Sequence, residues 1–176
     1  MIVQTRGVVL QARDFSESSQ VVALWTEGFG RVTGIAKGVR RQGRASFDGP
    51  FEAASEYELG FYLRSQGEGL SILSEASLRN RPPAVRETLE GWWAWSEAAE
   101  AVLGLTQEMD PHPGLLAAFR ELLDEASGRP DALARFFLRL LEATDDPDGH
   151  GVAVVRAVGT PRIVKGLRRP GPRPGS

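Results

Sequence analysis

The hydrophobic pattern of this chain changes its period once, at the Arg81-Pro82-Pro83 sequence. Before this point, short segments rich in Val, Ile, Thr and aromatic residues are separated by Gly, Ser, Asp or Pro, which is typical of β-strands. After it, apolar residues recur every three or four positions, as on one face of an α-helix. The double proline is a suitable helix entrance and domain boundary. The sequence therefore predicts a β-rich part followed by an α-helical part.

Five segments of the first part have the strand pattern. In the fourth, Tyr57, Leu59 and Phe61 alternate with polar or small residues and predict one buried face, with Tyr62 as an exception on the outer side. A short glycine-containing connection between the second and third segments predicts a hairpin. The predicted strands span residues 2–13, 19–27, 30–38, 55–64 and 69–78.

Three amphipathic helices are predicted after the double proline. The second carries leucines and Phe119 on one face and ends near Gly128, a suitable C-terminal cap, and the third runs from about Asp131 to Ala143. In the first, Trp92 falls on the apolar stripe and Trp93 flanks it, so both are predicted to pack in the core, whereas Trp95 points away, toward the barrel. That stripe consists of Val85, Leu89, Trp92, Ser96, Ala99 and Leu103.

The charge is segregated along the chain, although the net charge is only −2. Residues 1–80 carry nine Lys or Arg against nine Asp or Glu, residues 81–149 carry six against fourteen, and residues 150–176 carry six against none. We therefore predict a balanced β domain over 1–80 and an acidic helical domain over 81–149. The Gly-, Pro- and Arg-rich tail over 150–176 has too little apolar content to offset the cost of ordering and is predicted to be disordered.

One stretch of the balanced domain, residues 30–46, holds basic residues and no acidic ones. A solvated loop kept soluble by arginine would explain it, but such a cluster also suits a row of phosphates. The candidate DNA-binding residues are Arg31, Lys37, Arg40, Arg41 and Arg44.

A compact five-stranded module followed by helices is what an OB-fold, a five-stranded Greek-key barrel, looks like in sequence, although SH3-like barrels have a similar strand count. In an OB-fold, the sheet face around the second and third strands, with the loops at its rim, forms the nucleic-acid groove. Phe15, Phe29 and Phe47 lie in or beside predicted turns, where each could stack on a base or plug the end of the barrel.

The order of short motifs in the first part resembles the RecO family of recombination and repair proteins. An acidic-aromatic turn (Asp14, Phe15 and Glu17) precedes a strand ending in Thr26, a hairpin marked by Gly30, and an Ala-Lys-Gly element that begins at Ala36 and leads to Arg40 and Arg41. The resemblance covers residues 1–80 well and the helices only by their pattern. It implies an N-terminal OB-fold, a helical C-terminal domain and no enzymatic turnover.

The resemblance also implies partners. They are single- and double-stranded DNA, whose strands the family anneals, the protein RecR, and the single-strand-binding protein, with RecA as the recombinase that is loaded. Many relatives carry four cysteines in a zinc-binding insert and continue with further helices, whereas this chain has no cysteine and is short for the family.

The residues themselves point away from several other classes. No histidine of the front domain is available to activate a serine, and the two histidines have no metal-type spacing, so no catalytic, cofactor or metal site is expected. No signal-peptide pattern or long apolar run is present, which predicts a cytoplasmic chain without a membrane partner. Two alternatives to DNA mediation stay open, namely a general RNA-binding OB module and a protein-docking adaptor.

Overall fold

A computed structural model describes residues 2–41, 46–64, 69–125, 130–143, 153–157 and 160–164 of the chain. Five strands come first, then four helices, then two short strands. The strands of the first part are β1 Ile2–Asp14, β2 Gln20–Thr26, β3 Gly30–Ala36, β4 Glu56–Tyr62 and β5 Ser71–Asn80. The helices are α1 Pro83–Glu87, α2 Leu89–Leu105, α3 Pro113–Glu125 and α4 Pro130–Ala143, and the last strands are β6 Ala153–Ala157 and β7 Thr160–Val164.

The first five strands close into a barrel in the order β1-β2-β3-β5-β4. The long β1 makes this possible, because its first half pairs with β4 and its second half with β2. The register of β1 against β2 shifts between Val9 and Gln11, an irregularity of the kind that lets a strand bend from one partner to the next. Among the described strands, β3 and β5 are the pair that runs in parallel. This is the OB-fold that the sequence predicts, followed by helices.

The barrel interior is filled by the inward faces of all five strands. The alternation predicted for β4 is confirmed, since Leu59 and Phe61 are fully buried and Tyr57 nearly so, while Tyr62 is 46% exposed. Phe47 is buried in this core and Phe29 packs against it, its ring 5.7 Å from that of Phe61. Phe29 and Phe47 therefore belong to the barrel core and do not form an exposed stacking surface.

A second core joins the barrel to the helices, because β1 and β2 are buried on both faces. Val22 and Leu24 point into the barrel, whereas Ala23 and Trp25, on the opposite face of β2, pack with the buried face of the helices. The ring of Trp25 lies 5.4 Å from that of Phe119 on α3. Completely burying a side chain of this size stabilises the fold by roughly 2–3 kcal/mol, so the helices are an integral part of the barrel's outer wall.

The prediction for the first helix was wrong in its phase. Thr88 has extended backbone angles and divides the segment into α1 and α2, and its hydroxyl accepts a hydrogen bond from the backbone N–H of Gly91 as the N-cap of α2. The break rotates the apolar stripe, so Trp92 and Trp93 are 45% and 38% exposed and Trp95 is buried instead. The periodicity misassigned these residues because it assumed one continuous helix across Thr88.

Two short strands, β6 and β7, lie within residues 150–176, the segment predicted to be disordered, and they pair with each other in antiparallel register. Their sequences, AVVRA and TPRIV, contain the β-branched residues that favour strands, and composition averaged over the whole tail concealed them. The rest of the tail, the proposed cap Gly128 and the basic residue Arg44 lie outside the described residues.

The close approach of α1 to α2 gives a first testable prediction. A methyl group at Gly91 would lie 2.0 Å from the carbonyl oxygen of Ala84, whereas one at Gly104 on the same helix would meet nothing within 4 Å. Gly91→Ala should lower the free energy of unfolding by about 2 kcal/mol, and Gly104→Ala should raise it by up to about 1 kcal/mol. Urea denaturation followed by circular dichroism measures both, and equal effects of the two variants would contradict this packing.

The β2–β3 hairpin gives a second prediction, because it touches the connection between α2 and α3. Gly30 has φ of 64°, and a methyl group there would lie 2.2 Å from the carbonyl oxygen of Asp110, whereas Gly28 in the same turn has open space. We expect Gly30→Ala to lower the free energy of unfolding by about 2 kcal/mol or more. Gly28→Ala is the matched control and should change it by less than about 0.5 kcal/mol. A tolerated Gly30→Ala would show that the hairpin and this connection do not meet.

Candidate nucleic-acid interface

The structure separates the predicted basic residues into two places on β3. Arg31 lies at the start of the strand, and Lys37 directly follows its end. At about 3.3 Å per residue, these positions are roughly 20 Å apart along the barrel. Arg40 and Arg41 lie in the turn after Lys37, and all three are exposed. Arg31 is therefore not part of the same surface as the other three.

Arg31 contacts the helical part of the protein. Its guanidinium donates a 2.9 Å hydrogen bond to the carbonyl oxygen of Thr106 and lies 3.7 Å from the carboxylate of Glu108, and its side chain is 18% exposed. The hydroxyl of Thr33, two residues along β3, donates to the same Glu108. Together with buried Trp25, these contacts cover the hairpin end of the β2–β3 face. The hairpin end of the sheet face that was expected to form the groove is thus occupied by the protein itself.

The opposite end of the barrel carries the other described candidates, Lys37, Arg40 and Arg41. The turn after β3 begins at Gly38, whose φ of 69° lets the chain reverse, and the N–H of Arg41 donates back to the carbonyl of Gly38. This turn is fixed to the loop between β1 and β2, because the N–H of Gly38 donates to the hydroxyl of Ser19 and the N–H of Arg40 donates to the carbonyl of Ser18. Two loops that are distant in sequence therefore form one rim.

Arg13 joins this rim, although the sequence analysis did not single it out. It lies at the end of β1 opposite Val21 of β2, and Val21 in turn lies opposite Ile35 of β3. Adjacent strands are about 4.8 Å apart, which places the ends of β1 and β3 about 10 Å from each other. The strand register places Arg13 at this rim, and the register could not be obtained from the sequence alone. We call Arg13, Lys37, Arg40 and Arg41 the rim cluster.

An exposed aromatic ring and two acidic groups accompany the rim cluster. Phe15 directly follows β1 and is 66% exposed, unlike the two phenylalanines packed in the barrel. Asp14 forms an ion pair with Arg40 across the two loops, and Glu17 is exposed beside Phe15. Four cations against two carboxylates leave the rim with a local excess of positive charge next to a free π-face.

Burial raises the pKa of Tyr57 in the barrel core, and the other groups with a shifted pKa belong to the contact between barrel and helices. Arg120 of α3 donates a 2.8 Å hydrogen bond to Glu27 and also forms an ion pair with Glu56. Burial acts to lower the pKa of Arg120, but the two carboxylates outweigh the effect of burial, and the pKa of Arg120 is raised. At a second contact, a hydrogen bond from Arg81 lowers the pKa of Glu52 against the effect of burial. Each barrel carboxylate named here is thus tied to the helices or their entrance and does not act as a free acid or base.

The described ranges contain no other arrangement with evident chemistry. No three His, Asp or Glu side chains within them converge closely enough to hold a metal ion. Of the described helices, none is both long and apolar enough to cross a bilayer. The rim cluster is therefore the candidate site.

Known proteins resemble this chain over the barrel and beyond it. The sequence model of the family described as "Recombination protein O N terminal" matches residues 1–81. The chain is 31% identical over 145 residues to the DNA repair protein RecO of Prosthecochloris aestuarii, an alignment covering 80% of this chain and 54% of that protein. It is 35% identical over 144 residues to the DNA repair protein RecO of Anaeromyxobacter dehalogenans, which covers 80% of this chain and 56% of that protein.

A third relative, the DNA repair protein RecO of Syntrophobacter fumaroxidans, is 34% identical over 130 residues, covering 74% of this chain and 50% of that protein. The chain thus spans about half the length of the curated relatives it matches. The OB-fold topology, the motif order and these alignments agree, and the chain belongs to the RecO family.

Proposed function

We propose that the rim cluster binds the phosphate backbone of single-stranded DNA. The observation that carries this proposal is the convergence of Arg13 with Lys37, Arg40 and Arg41 at one end of the barrel, beside exposed Phe15. A charged rim with an aromatic ring is the combination by which OB-folds hold single strands, since cations pair with phosphates and a ring stacks on bases of any sequence.

The charge of the rim sets the expected strength and selectivity. Four cations that each meet one phosphate would give a log-log slope of affinity on salt of about −3, from roughly 0.7 per contact on a single strand. Stacking of one base on Phe15 would add about 1–3 kcal/mol. Among the described residues of the rim, no helix or strand presents a row of side chains suited to base edges, so binding is proposed to be insensitive to base sequence.

The biological role follows from the family and extends the proposal. The relatives are named as DNA repair proteins, and we propose that this chain acts in DNA repair and recombination in the cytoplasm as a binding protein, not as an enzyme. The resemblance supports annealing of single strands, binding of duplex DNA, and assistance to RecA loading together with RecR and the single-strand-binding protein. These functions are proposals for a chain that spans half the length of its relatives.

The prediction is that removing two exposed cations from the rim weakens binding and flattens its dependence on salt. Lys37→Gln/Arg41→Gln spares the ion pair between Arg40 and Asp14, so the turn should stay folded. Loss of two phosphate contacts should reduce the magnitude of the salt slope by about 1.4. Fluorescence anisotropy with labelled oligothymidylate across a salt series measures the slope directly.

A matched control is available on α4. Arg135→Gln/Arg139→Gln removes the same charge from exposed positions whose ion pairs lie on the helix surface, so folding should change little. This control variant should leave the salt dependence of DNA affinity unchanged. Equal slopes for the rim variant and the intact chain would contradict the proposed site and favour a protein-docking adaptor. Equal competition by RNA would assign the rim to a general nucleic-acid module.

A further inference from the structure

Helix α2 presents an apolar surface that no other described element covers. Leu89 is 79% exposed, Trp92 45% and Trp93 38%, although large apolar side chains are usually withdrawn from water. These three residues form a contiguous outward patch on the first turns of the helix, which we call the aromatic face of α2. The buried residues of α2, from Gly91 to Val102, lie on its other side, toward the core.

The charged residues of α2 itself are all acidic. Glu87, Glu90 and Glu100 are exposed around the aromatic face and take part in no ion pair within the described ranges. From residue 87 to residue 119 the sequence has no Lys or Arg. Exposed tryptophan rings and unpaired carboxylates together are suited to a cationic ligand, because a guanidinium stacks on the ring and pairs with the acid.

A buried polar group lies beneath the same face. The indole N–H of Trp95 is buried and has no hydrogen-bond partner in the described part of the chain, and the Trp95 ring lies 4.7 Å from that of Trp92. An unpaired buried donor costs about 1–3 kcal/mol.

One segment of this chain has the complementary composition. Residues 165–176, with the sequence KGLRRPGPRPGS, contain Lys165, Arg168, Arg169 and Arg173, three prolines, and no acidic residue. Proline-rich sequences are a standard ligand of exposed aromatic rings, since proline packs on the ring and its neighbours keep free carbonyls. We call these residues the Arg/Pro segment.

The covalent connection permits contact within one molecule. Helix α4 ends at Ala143, and the nine residues 144–152 can extend at most about 30 Å. Helix α4 packs in the same core as α2, so this connection, continued by the β6–β7 hairpin, allows the Arg/Pro segment to reach α2. Attachment also raises the effective concentration of the segment to the millimolar range, so even weak contacts would be populated.

We propose that the Arg/Pro segment, residues 165–176, docks on the aromatic face of α2 in the same molecule. Its arginines pair with the bordering glutamates and stack on Trp92 and Trp93, while its prolines cover the rings. This contact explains why the exposed tryptophans, the acidic border and the basic segment occur in one chain. It is independent of the rim cluster, which lies on the barrel.

The test uses the indole N–H signals of the four tryptophans in the NMR spectrum of the full chain and of a chain lacking residues 165–176. Trp92→Phe and Trp93→Phe assign the two relevant signals. We expect deletion to shift the signals of Trp92 and Trp93, with Trp95 following its neighbour, and to leave buried Trp25 unchanged. Adding a synthetic peptide of residues 165–176 to the shortened chain should reverse the shifts.

A full-length variant distinguishes the effect of losing the arginine contacts from the effect of shortening the chain. Arg168→Gln/Arg169→Gln/Arg173→Gln keeps the prolines and should give the same spectrum as the deletion, as should about 1 M salt, where the screening length is about 3 Å. Unchanged Trp92 and Trp93 signals after deletion would overturn the proposal. Shifts that depend on protein concentration would also overturn it, because they would place the segment on another copy.

Discussion

The structure depends on the burial of β2 from both sides. Val22 and Leu24 fill the barrel while Trp25, on the opposite face, packs against Phe119 of α3. A barrel strand with two buried faces requires a second layer, and the helices supply it. The OB-fold and the helical part are therefore one cooperative packing unit, which the ion pairs of Arg31 and Arg120 then fix in register.

This packing decides which surface of the barrel is available to a ligand. The helices occupy the hairpin end of the β2–β3 face, and Arg31 is used to hold them there. Of the predicted DNA-binding residues that the structure describes, the exposed ones lie at the other end, where two loops are joined by the contacts of Gly38 and Arg40 with Ser19 and Ser18. A rim of cations with one exposed ring is suited to contact with a phosphate backbone and not with base edges, which is the basis of the proposed site.

Much of the fold could be predicted because strands of period two and turn residues are local signals. The alternation of Leu59 and Phe61 placed β4 correctly, whereas the helix phase failed at Thr88, where a cap breaks the pattern. The position of Arg31 could not be predicted from local sequence, since it depends on Glu108, far along the chain. The sequence did contain one signal of the second layer. The segment QVVALWT of β2 is apolar on both faces, and such a strand is typically covered on both sides.

The most direct test of a rim site is amide chemical-shift mapping of the labelled chain with short oligothymidylate. If the helices block the β2–β3 face, the largest shifts will fall in residues 13–19 and 37–41, with small ones at Trp25 and Arg31. Largest shifts at Trp25, Arg31 or the helices would show instead that DNA binds over the face that the helices cover. That result would contradict the placement of the site at the rim.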